Sequence, residues 1–121
     1  REFTALIRTQ IFRFLQQLSY EQYHAALGTV QHDGWTPELL AEALDPYFEE
    51  HHGIRLDNEA RNGRHTYVES LENQQIWKVS QVLVDPDDLN DWQVQFHIDL
   101  NQARAEDKPT LKLLTLAPIA P

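Results

Sequence analysis

The fold is decided by a stretch in the second half of the chain, which reads Ile76-Trp77-Lys78-Val79-Ser80-Gln81-Val82-Leu83-Val84, then an acidic loop over 85–91, then Trp92-Gln93-Val94-Gln95-Phe96-His97-Ile98-Asp99-Leu100. Two strand-like segments that flank a short loop predict a β-hairpin. In the second segment apolar and polar residues alternate without a break. Because successive side chains of a strand point to opposite faces, one face is predicted to pack on a core and the other to face water or a site.

Toward the N-terminus the sequence predicts helices. Residues 2–18 carry apolar side chains at three- and four-residue steps, which is typical of a helix with one buried face. A second helix is expected from Tyr20 to Leu27. Thr36-Pro37 is a hydroxyl N-cap followed by proline at the first helical position, and it predicts the start of a third helix. Asp45-Pro46 predicts that this helix is interrupted, because proline lacks the N–H that a helix interior requires, and that a short fourth helix follows to His52.

The segments on either side of the hairpin predict the remaining strands. Residues 54–56 are expected to begin a short strand, and 65–71 to form another. Residues 101–109 are predicted to be a polar loop, and 110–116 the last strand. The helices therefore precede an antiparallel meander, in which short connections favour the pairing of neighbouring strands.

The last strand carries a break in its pattern. Its apolar phase changes between Leu113 and Leu114, which indicates a β-bulge or burial on both faces. The order of elements as a whole predicts one α+β domain over residues 1–121. We expect N-terminal helices packed on one face of a curved antiparallel sheet of three to five strands.

Composition limits the classes of protein and site. The chain has 121 residues, no cysteine and a formal net charge of -9, which excludes disulfides, thiolate nucleophiles and cysteine-ligated metals. No run approaches the roughly 20 apolar residues of a membrane helix, and a cytoplasmic location is expected. Because the chain begins with Arg1 and contains no methionine, we expect it to be a C-terminal fragment of a longer polypeptide.

The sequence lacks the common motifs for nucleotide binding and for a nucleophilic serine. It contains no Gly-x-x-x-x-Gly-Lys-Ser/Thr loop, no Gly-x-Gly-x-x-Gly and no Gly-x-Ser-x-Gly elbow. We therefore predict no catalytic residue and no cofactor for this chain. Its acidic residues concentrate in 38–63 and 85–107, and such a field repels phosphate backbones, which disfavours autonomous RNA or DNA binding. A basic protein partner is compatible with this charge.

Neither of the two groups with metal-ligating side chains fits a metal site. The aspartates of the 85–91 loop do not follow the EF-hand pattern, because Asn90 stands where it requires glycine and Phe96 where it requires glutamate. His51 and His52 are consecutive helix residues and point about 100° apart. We interpret them as a solvated helix end, and the loop aspartates as turn caps. The sequence predicts no metal site.

The polar face of the second hairpin strand is a candidate pocket wall. With one amide from the first strand, the candidate set is Gln81, Gln93, Gln95, His97 and Asp99. If this face lines a concave sheet, His97 and Asp99 can act as an acid–base pair. The alternative is an exposed sheet face, because antiparallel sheets often have one face in water. Gln81 lies between two inward apolar residues and is expected to be a buried, hydrogen-bonded amide.

A basic cluster and the tryptophans are candidates for RNA contact. The cluster consists of Arg55, Arg61 and Arg64, which suit phosphate, although arginines in an acidic domain are more often ion-paired. The three tryptophans suit base stacking, but core packing explains them better in the absence of flanking cations.

Several short motifs carry a family resemblance. The hairpin contains Trp77-x-Val79-x-Gln81, Asp85-Pro86, Asp91-Trp92 and Asp99-Leu100, and the N-terminal half contains Leu6-Ile7-Arg8, Gly34-Trp35, Pro46-Tyr47-Phe48 and Ala60-Arg61. In these motifs and their spacing, nearly the whole chain resembles a domain of unknown function at the C-terminal end of bacterial DEAD/DEAH-box helicases. The element order is also similar to the cone-shaped nuclear-transport-factor-like fold, an analogy that implies no function.

The resemblance implies a parent superfamily 2 helicase, in which two upstream motor lobes hydrolyse ATP and separate strands. This chain is then expected to be a non-catalytic accessory domain that docks on the motor domains or on another protein. Two alternatives remain open: an RNA-contacting module that guides substrate to the motor, and a small-molecule pocket or enzyme on a cone-like fold. The sequence does not predict the oligomeric state.

Overall fold

Three helices precede most of the sheet, and a fourth helix separates its last two long strands. The computed structural model describes residues 2–121. The helices are α1 (Glu2–Ser19), α2 (Tyr23–Leu27), α3 (Pro37–Glu50) and α4 (Leu100–Glu106), with a short 3-10 helix at Gly63–His65. The strands are β1 (Gln31–His32), β2 (Thr66–Leu71), β3 (Ile76–Leu83), β4 (Trp92–Asp99) and β5 (Lys112–Pro118). The predicted α+β class is confirmed. Within this described part, each helix is too short or too polar to cross a membrane.

The strands form one open sheet in the order β1-β5-β4-β3-β2. The pairs between β2, β3, β4 and β5 are antiparallel, whereas the two-residue β1 pairs parallel to β5. The predicted hairpin is confirmed, because β3 and β4 pair along their full length, from Ile76 opposite Asp99 to Leu83 opposite Trp92. The strand predicted over 65–71 is confirmed as β2.

The core lies between the helices and one face of the sheet, which we call the inner face. Residues opposite each other on adjacent strands share a face, so Val79, Phe96 and Leu113 all belong to the inner face. The predicted apolar stripe of α1 packs against it, and the Phe14 ring meets the Phe96 ring edge to face, with centroids 5.6 Å apart. Both rings are fully buried. Each such side chain contributes roughly 1.5–3 kcal/mol through its removal from water.

α3 continues through Pro46, so the predicted interruption and the separate fourth helix are wrong. Thr36 caps α3 as predicted, because its hydroxyl oxygen accepts a hydrogen bond from the N–H of Leu39 at 3.1 Å. Pro46 itself is exposed, while its neighbour Tyr47 is fully buried and packs edge to face on Trp92. We attribute the helical geometry to this packing, which outweighs the roughly 3 kcal/mol that an interior proline costs.

α4 occupies a segment for which the sequence predicts a polar loop, and that prediction is wrong. The Asp99 carboxylate caps the helix by accepting hydrogen bonds from the N–H groups of Asn101 and Gln102 at 2.9 and 3.2 Å. The helix ends at Asp107, which adopts a left-handed φ of 57°. Ala103 is the buried residue of this short helix, so there is almost no apolar periodicity by which to recognise it.

Two segments near the N-terminal half also depart from expectation. α2 begins at Tyr23, later than predicted, after a turn in which the N–H of Gln22 donates to the carbonyl of Gln17. Residues 54–56 do not form a strand. The N–H of Arg55 donates to the carbonyl of Val84, just after β3, at 2.7 Å, and Ile54 is buried in the main core.

The bulge predicted in the last strand is confirmed. The register between β4 and β5 shifts between Gln95 and Phe96, and Leu114 is the extra residue on β5. A bulge changes the alternation of side chains along its strand. It therefore brings both Leu113 and Leu116 onto the inner face, where both are buried.

Candidate functional site

The face of the sheet turned away from the helical core carries polar, partly exposed side chains, and we call it the outer face. Gln93, Gln95 and His97 lie on it, as the alternation of β4 predicts. Gln95 stands at the centre of a ladder across three strands. The hydroxyl of Thr115 donates to Gln95 Oε1 at 3.0 Å, and Gln95 Nε2 donates to Ser80 Oγ at 2.9 Å. These bonds link side chains of three neighbouring strands across the outer face.

One member of the candidate pocket set lies on the inner face. Gln81 stands opposite Val94 and is fully buried on the inner face. Its Oε1 accepts a hydrogen bond from the hydroxyl of Thr66, and its Nε2 donates to the carbonyl of Val82 at 3.2 Å. The prediction of a buried, hydrogen-bonded amide is thus confirmed. The sheet separates Gln81 from Gln93, Gln95 and His97, so the five candidate residues do not surround one pocket.

His97 lies between two lysines of the outer face. Lys78 and Lys112 stand opposite it on the two neighbouring strands, and Lys112 pairs with Asp33 at 2.6 Å. The carboxylate of Asp99 is occupied by backbone N–H groups of α4. This arrangement corresponds to the exposed sheet face that the sequence offered as the alternative to a pocket wall.

One end of the outer face is apolar. Tyr67 is 61% exposed and Ile119 is 38% exposed. Both border a shallow cleft of about 470 Å³ that also includes Val82 and Gln93. Exposed apolar groups that lie together, rimmed by polar ones, are typical of surfaces that bind a partner. The outer face therefore combines a hydrogen-bonded polar centre with an apolar end.

Two of the three predicted RNA-contact arginines are ion-paired. Arg55 pairs with Asp57 at 2.8 Å, and Arg64 pairs with Glu59. The Arg55 guanidinium and the N–H of Ala60 hold the pKa of Asp57 below its usual value. These pairs match the expectation that arginines in an acidic domain are neutralised locally.

Arg61, the third predicted residue, belongs to a different cluster. Its guanidinium lies over the Phe12 ring, with Cζ 4.9 Å from the ring centroid. Arg8 on α1 donates from Nη2 to the carbonyl oxygen of Arg61, and Arg13 borders the same cleft of about 420 Å³. We call the surface formed by Arg8, Arg13 and Arg61 the arginine cleft. Sequence reasoning missed Arg8 and Arg13 because they are far from Arg61 along the chain.

A buried histidine is the main polar feature that sequence reasoning missed. His51 is 2% exposed, and its Nε2 lies 2.9 Å from Asp91 Oδ1 while its Nδ1 lies 3.8 Å from Asp85 Oδ1. The prediction of a solvated helix end is correct for His52, which is exposed, and wrong for His51. The available signal was the four-residue spacing from Tyr47, which places both rings on one side of α3; their centroids are 4.7 Å apart.

Asp85 organises the loop between β3 and β4. Its buried carboxylate accepts hydrogen bonds from the N–H groups of Asp87, Leu89 and Asn90 at 2.9, 3.1 and 2.7 Å. Burial alone would raise the pKa of Asp85, but these N–H groups and the nearby His51 outweigh it and hold the pKa below its usual value. The interpretation of a loop aspartate as a turn cap is confirmed for Asp85.

The end of α3 also brings possible metal ligands together. Glu50, His51 and Asp91 each offer one atom within 4.8 Å of the others. Glu50 and Asp91 are exposed, and the Nε2 of His51 already bonds to Asp91. A histidine–carboxylate bridge between α3 and the loop before β4 accounts for this group, and we assign no metal to it.

Comparison with known proteins identifies the family of this chain. The model of a domain of unknown function (DUF3516) matches residues 1–116, a range that runs from α1 into β5. No curated protein and no solved structure matches the chain at a significant level. Because the match spans nearly the whole sequence, the chain belongs to this family of domains of unknown function.

Proposed function

We propose that the chain is a non-catalytic accessory domain of a bacterial DEAD/DEAH-box helicase, which docks on the motor domains or on another protein through its outer face. In this proposal the motor lobes hydrolyse ATP, and the chain supplies no catalytic residue and no cofactor. The helicase context rests on motifs such as Pro46-Tyr47-Phe48 and Asp91-Trp92, which resemble those of a domain at the C-terminal end of such helicases.

The observation that carries the proposal is the contrast between the two faces of the sheet. On the inner face the side chains of α1 fill the space that a ligand would need, since Phe14 and Phe96 are in ring contact and fully buried. On the outer face the ladder through Gln95 forms a hydrogen-bonded polar surface with Tyr67 at its edge. An open polar surface with an exposed aromatic residue suits contact with a protein better than enclosure of a small molecule.

Tyr67 is the anchor that we expect for this contact. Tyrosine is among the residues that dominate binding energy at interfaces, and Tyr67 lies on β2, at the edge of the sheet. A row formed by Lys78 and Lys112, with His97 between them, crosses the same face. Because charges across an interface are usually complementary, the partner is expected to present carboxylates to this row.

Calorimetric titration against the motor lobes of a DEAD/DEAH-box helicase that carries this domain tests the proposal. Tyr67→Ala is expected to weaken binding by about 30-fold or more, because anchor residues contribute roughly 2 kcal/mol or more. Tyr20→Ala is the matched control, since Tyr20 is 63% exposed but lies in the turn that follows α1, in the helical layer. The control is expected to bind within about 2-fold of the unsubstituted chain.

Three outcomes would contradict the proposal. The first is an unsubstituted chain that does not bind the motor lobes or any other protein of the helicase complex. The second is an equal loss of binding in the Tyr67 and Tyr20 variants, which would show that the outer face is not the docking surface. The third is ATP hydrolysis by the chain alone, which would make it a catalytic domain.

A further inference from the structure

We infer that the arginine cleft binds the phosphodiester backbone of single-stranded nucleic acid. This site lies between α1 and the segment before β2, and it is independent of docking through the outer face. The inference goes beyond the basic cluster recognised in the sequence, because two of its three arginines lie on α1.

The first reason is the charge state of these arginines. The chain carries a net charge of -9, so most of its cations have carboxylates to pair with, and Arg55 and Arg64 do so. Within residues 2–121, Arg8, Arg13 and Arg61 form no ion pair. Three guanidinium groups without carboxylate partners at one place attract an anion.

The second reason is that two of the three side chains are held in position. The Nη2 of Arg8 donates to the carbonyl of Arg61, and the Arg61 guanidinium rests over the Phe12 ring. Gly63 lies beside this pair, and a Cβ there would come 3.1 Å from Nη1 of Arg8. A side chain that is already ordered loses less entropy when it binds, which strengthens binding.

The third reason is the shape and lining of the cleft, which favour a nucleotide over an acidic peptide. Arg13 and Arg61 line a cleft of about 420 Å³, together with Thr9, Gln16, Leu56 and the edge of the largely buried Phe12. Guanidinium groups bind phosphate through two parallel hydrogen bonds and also stack on unpaired bases. An acidic peptide offers the anion but no flat ring to stack on the exposed Arg61 guanidinium.

The acidic remainder of the surface limits the size of the site. Because it repels a polyanion, the contact is expected to involve about three phosphates, one for each arginine. For single strands the logarithm of affinity falls with the logarithm of salt concentration at roughly 0.7 per phosphate, so a slope of about -2 and a loss of about 15-fold between roughly 50 and 200 mM salt are expected.

Fluorescence anisotropy with labelled oligouridine tests the inference on the intact chain. R13Q/R61Q is expected to weaken binding by about 10-fold or more, and it leaves Arg8 in place. R104Q/K108Q is the matched control, because it removes two exposed positive charges from α4 and the turn after it, on a different surface. The control is expected to change affinity by less than about 3-fold. Far-ultraviolet circular dichroism confirms that both variants are folded.

Each remaining outcome overturns the inference. Absence of oligouridine binding at about 50 mM salt would show that repulsion by the acidic surface outweighs attraction by the three arginines. An equal loss in R13Q/R61Q and R104Q/K108Q would show that attraction is not localised in the cleft. Binding of polyglutamate as tight as that of oligouridine would assign the cleft to acidic protein segments instead.

Discussion

The inner and outer faces of the sheet are built from alternate residues of the same strands, yet they differ in kind. Phe96 is fully buried against α1, whereas its neighbour Gln95 is partly exposed in a ladder of hydrogen bonds. The difference arises because the helices pack on one face. The main core is therefore formed on the inner face, and polar residues at the centre of the outer face, such as Gln95, contribute less to stability and are available for contact. Near the end of β3 the outer face is covered instead, because Val82 is buried there in a small cluster with Ala60 and Val84.

Truncation of one residue on each face gives the largest expected effect and tests whether the two faces contribute differently to stability. Phe96→Ala is expected to lower the free energy of unfolding by about 3–5 kcal/mol, because it opens a cavity in a packed core. Gln95→Ala, on the other face, is expected to lower it by less than about 1 kcal/mol. Urea unfolding followed by tryptophan fluorescence measures both. Similar losses in the two variants would mean that the faces do not differ as described.

The two adjacent histidines at the end of α3 show how burial against the loop that joins β3 to β4 affects stability. His51→Ala is expected to lower the free energy of unfolding by about 1–3 kcal/mol, since it removes the bond to Asp91 and leaves carboxylates without their partner. His52 is exposed, and His52→Ala is expected to change it by less than about 0.5 kcal/mol. The same urea titration separates the two. An unchanged free energy of unfolding in His51→Ala would show that the contact between His51 and Asp91 does not stabilise the fold.

The acid sensitivity of the same loop provides a third test. The pKa of Asp85 is lower in the folded chain, so its ionised form stabilises the fold above the unfolded value of about 3.9 and this contribution is lost as the pH falls through the folded value. Asp85→Asn is expected to cost about 1–3 kcal/mol at neutral pH. It should also flatten the loss of stability below about pH 4.

Unfolding of this variant at a series of pH values checks both parts of the prediction. Asp87→Asn is the control, because Asp87 is exposed in the same loop and its backbone N–H donates to Asp85. Its pH profile is expected to follow that of the unsubstituted chain. An Asp85→Asn profile with an unchanged acid limb would show that this carboxylate has no altered pKa.

Local patterns were sufficient to predict much of the fold. The alternation of β4 correctly separated Phe96 from Gln95, and the phase change in the last strand located the bulge at Leu114. What escaped prediction depends on distant contacts. Pro46 stays inside α3 because Tyr47 packs on Trp92, and a sequence pattern within α3 carries no information about that partner.

The candidate sites were less predictable than the fold for the same reason. His51 is buried because carboxylates from a distant loop approach it, so its neighbours in sequence suggested a solvated helix end. Arg61 was correctly singled out as a basic residue, but its companions Arg8 and Arg13 lie on the first helix. The alternation in β4 placed Gln93 and Gln95 on one surface, while pairing with β3 was needed to show that Gln81 faces the other way.

Thiol labelling on β5 measures the exposure of both faces of the sheet, because the chain has no cysteine of its own. Thr115 is exposed on the outer face and Leu116 is buried on the inner face. Thr115→Cys is expected to label at least about 100-fold faster than Leu116→Cys, which reacts only when the core opens. Saturating motor lobes are expected to slow the labelling of Thr115→Cys by about 10-fold or more. Equal rates for the two thiols, or a Thr115→Cys rate that the motor lobes leave unchanged, would contradict the account.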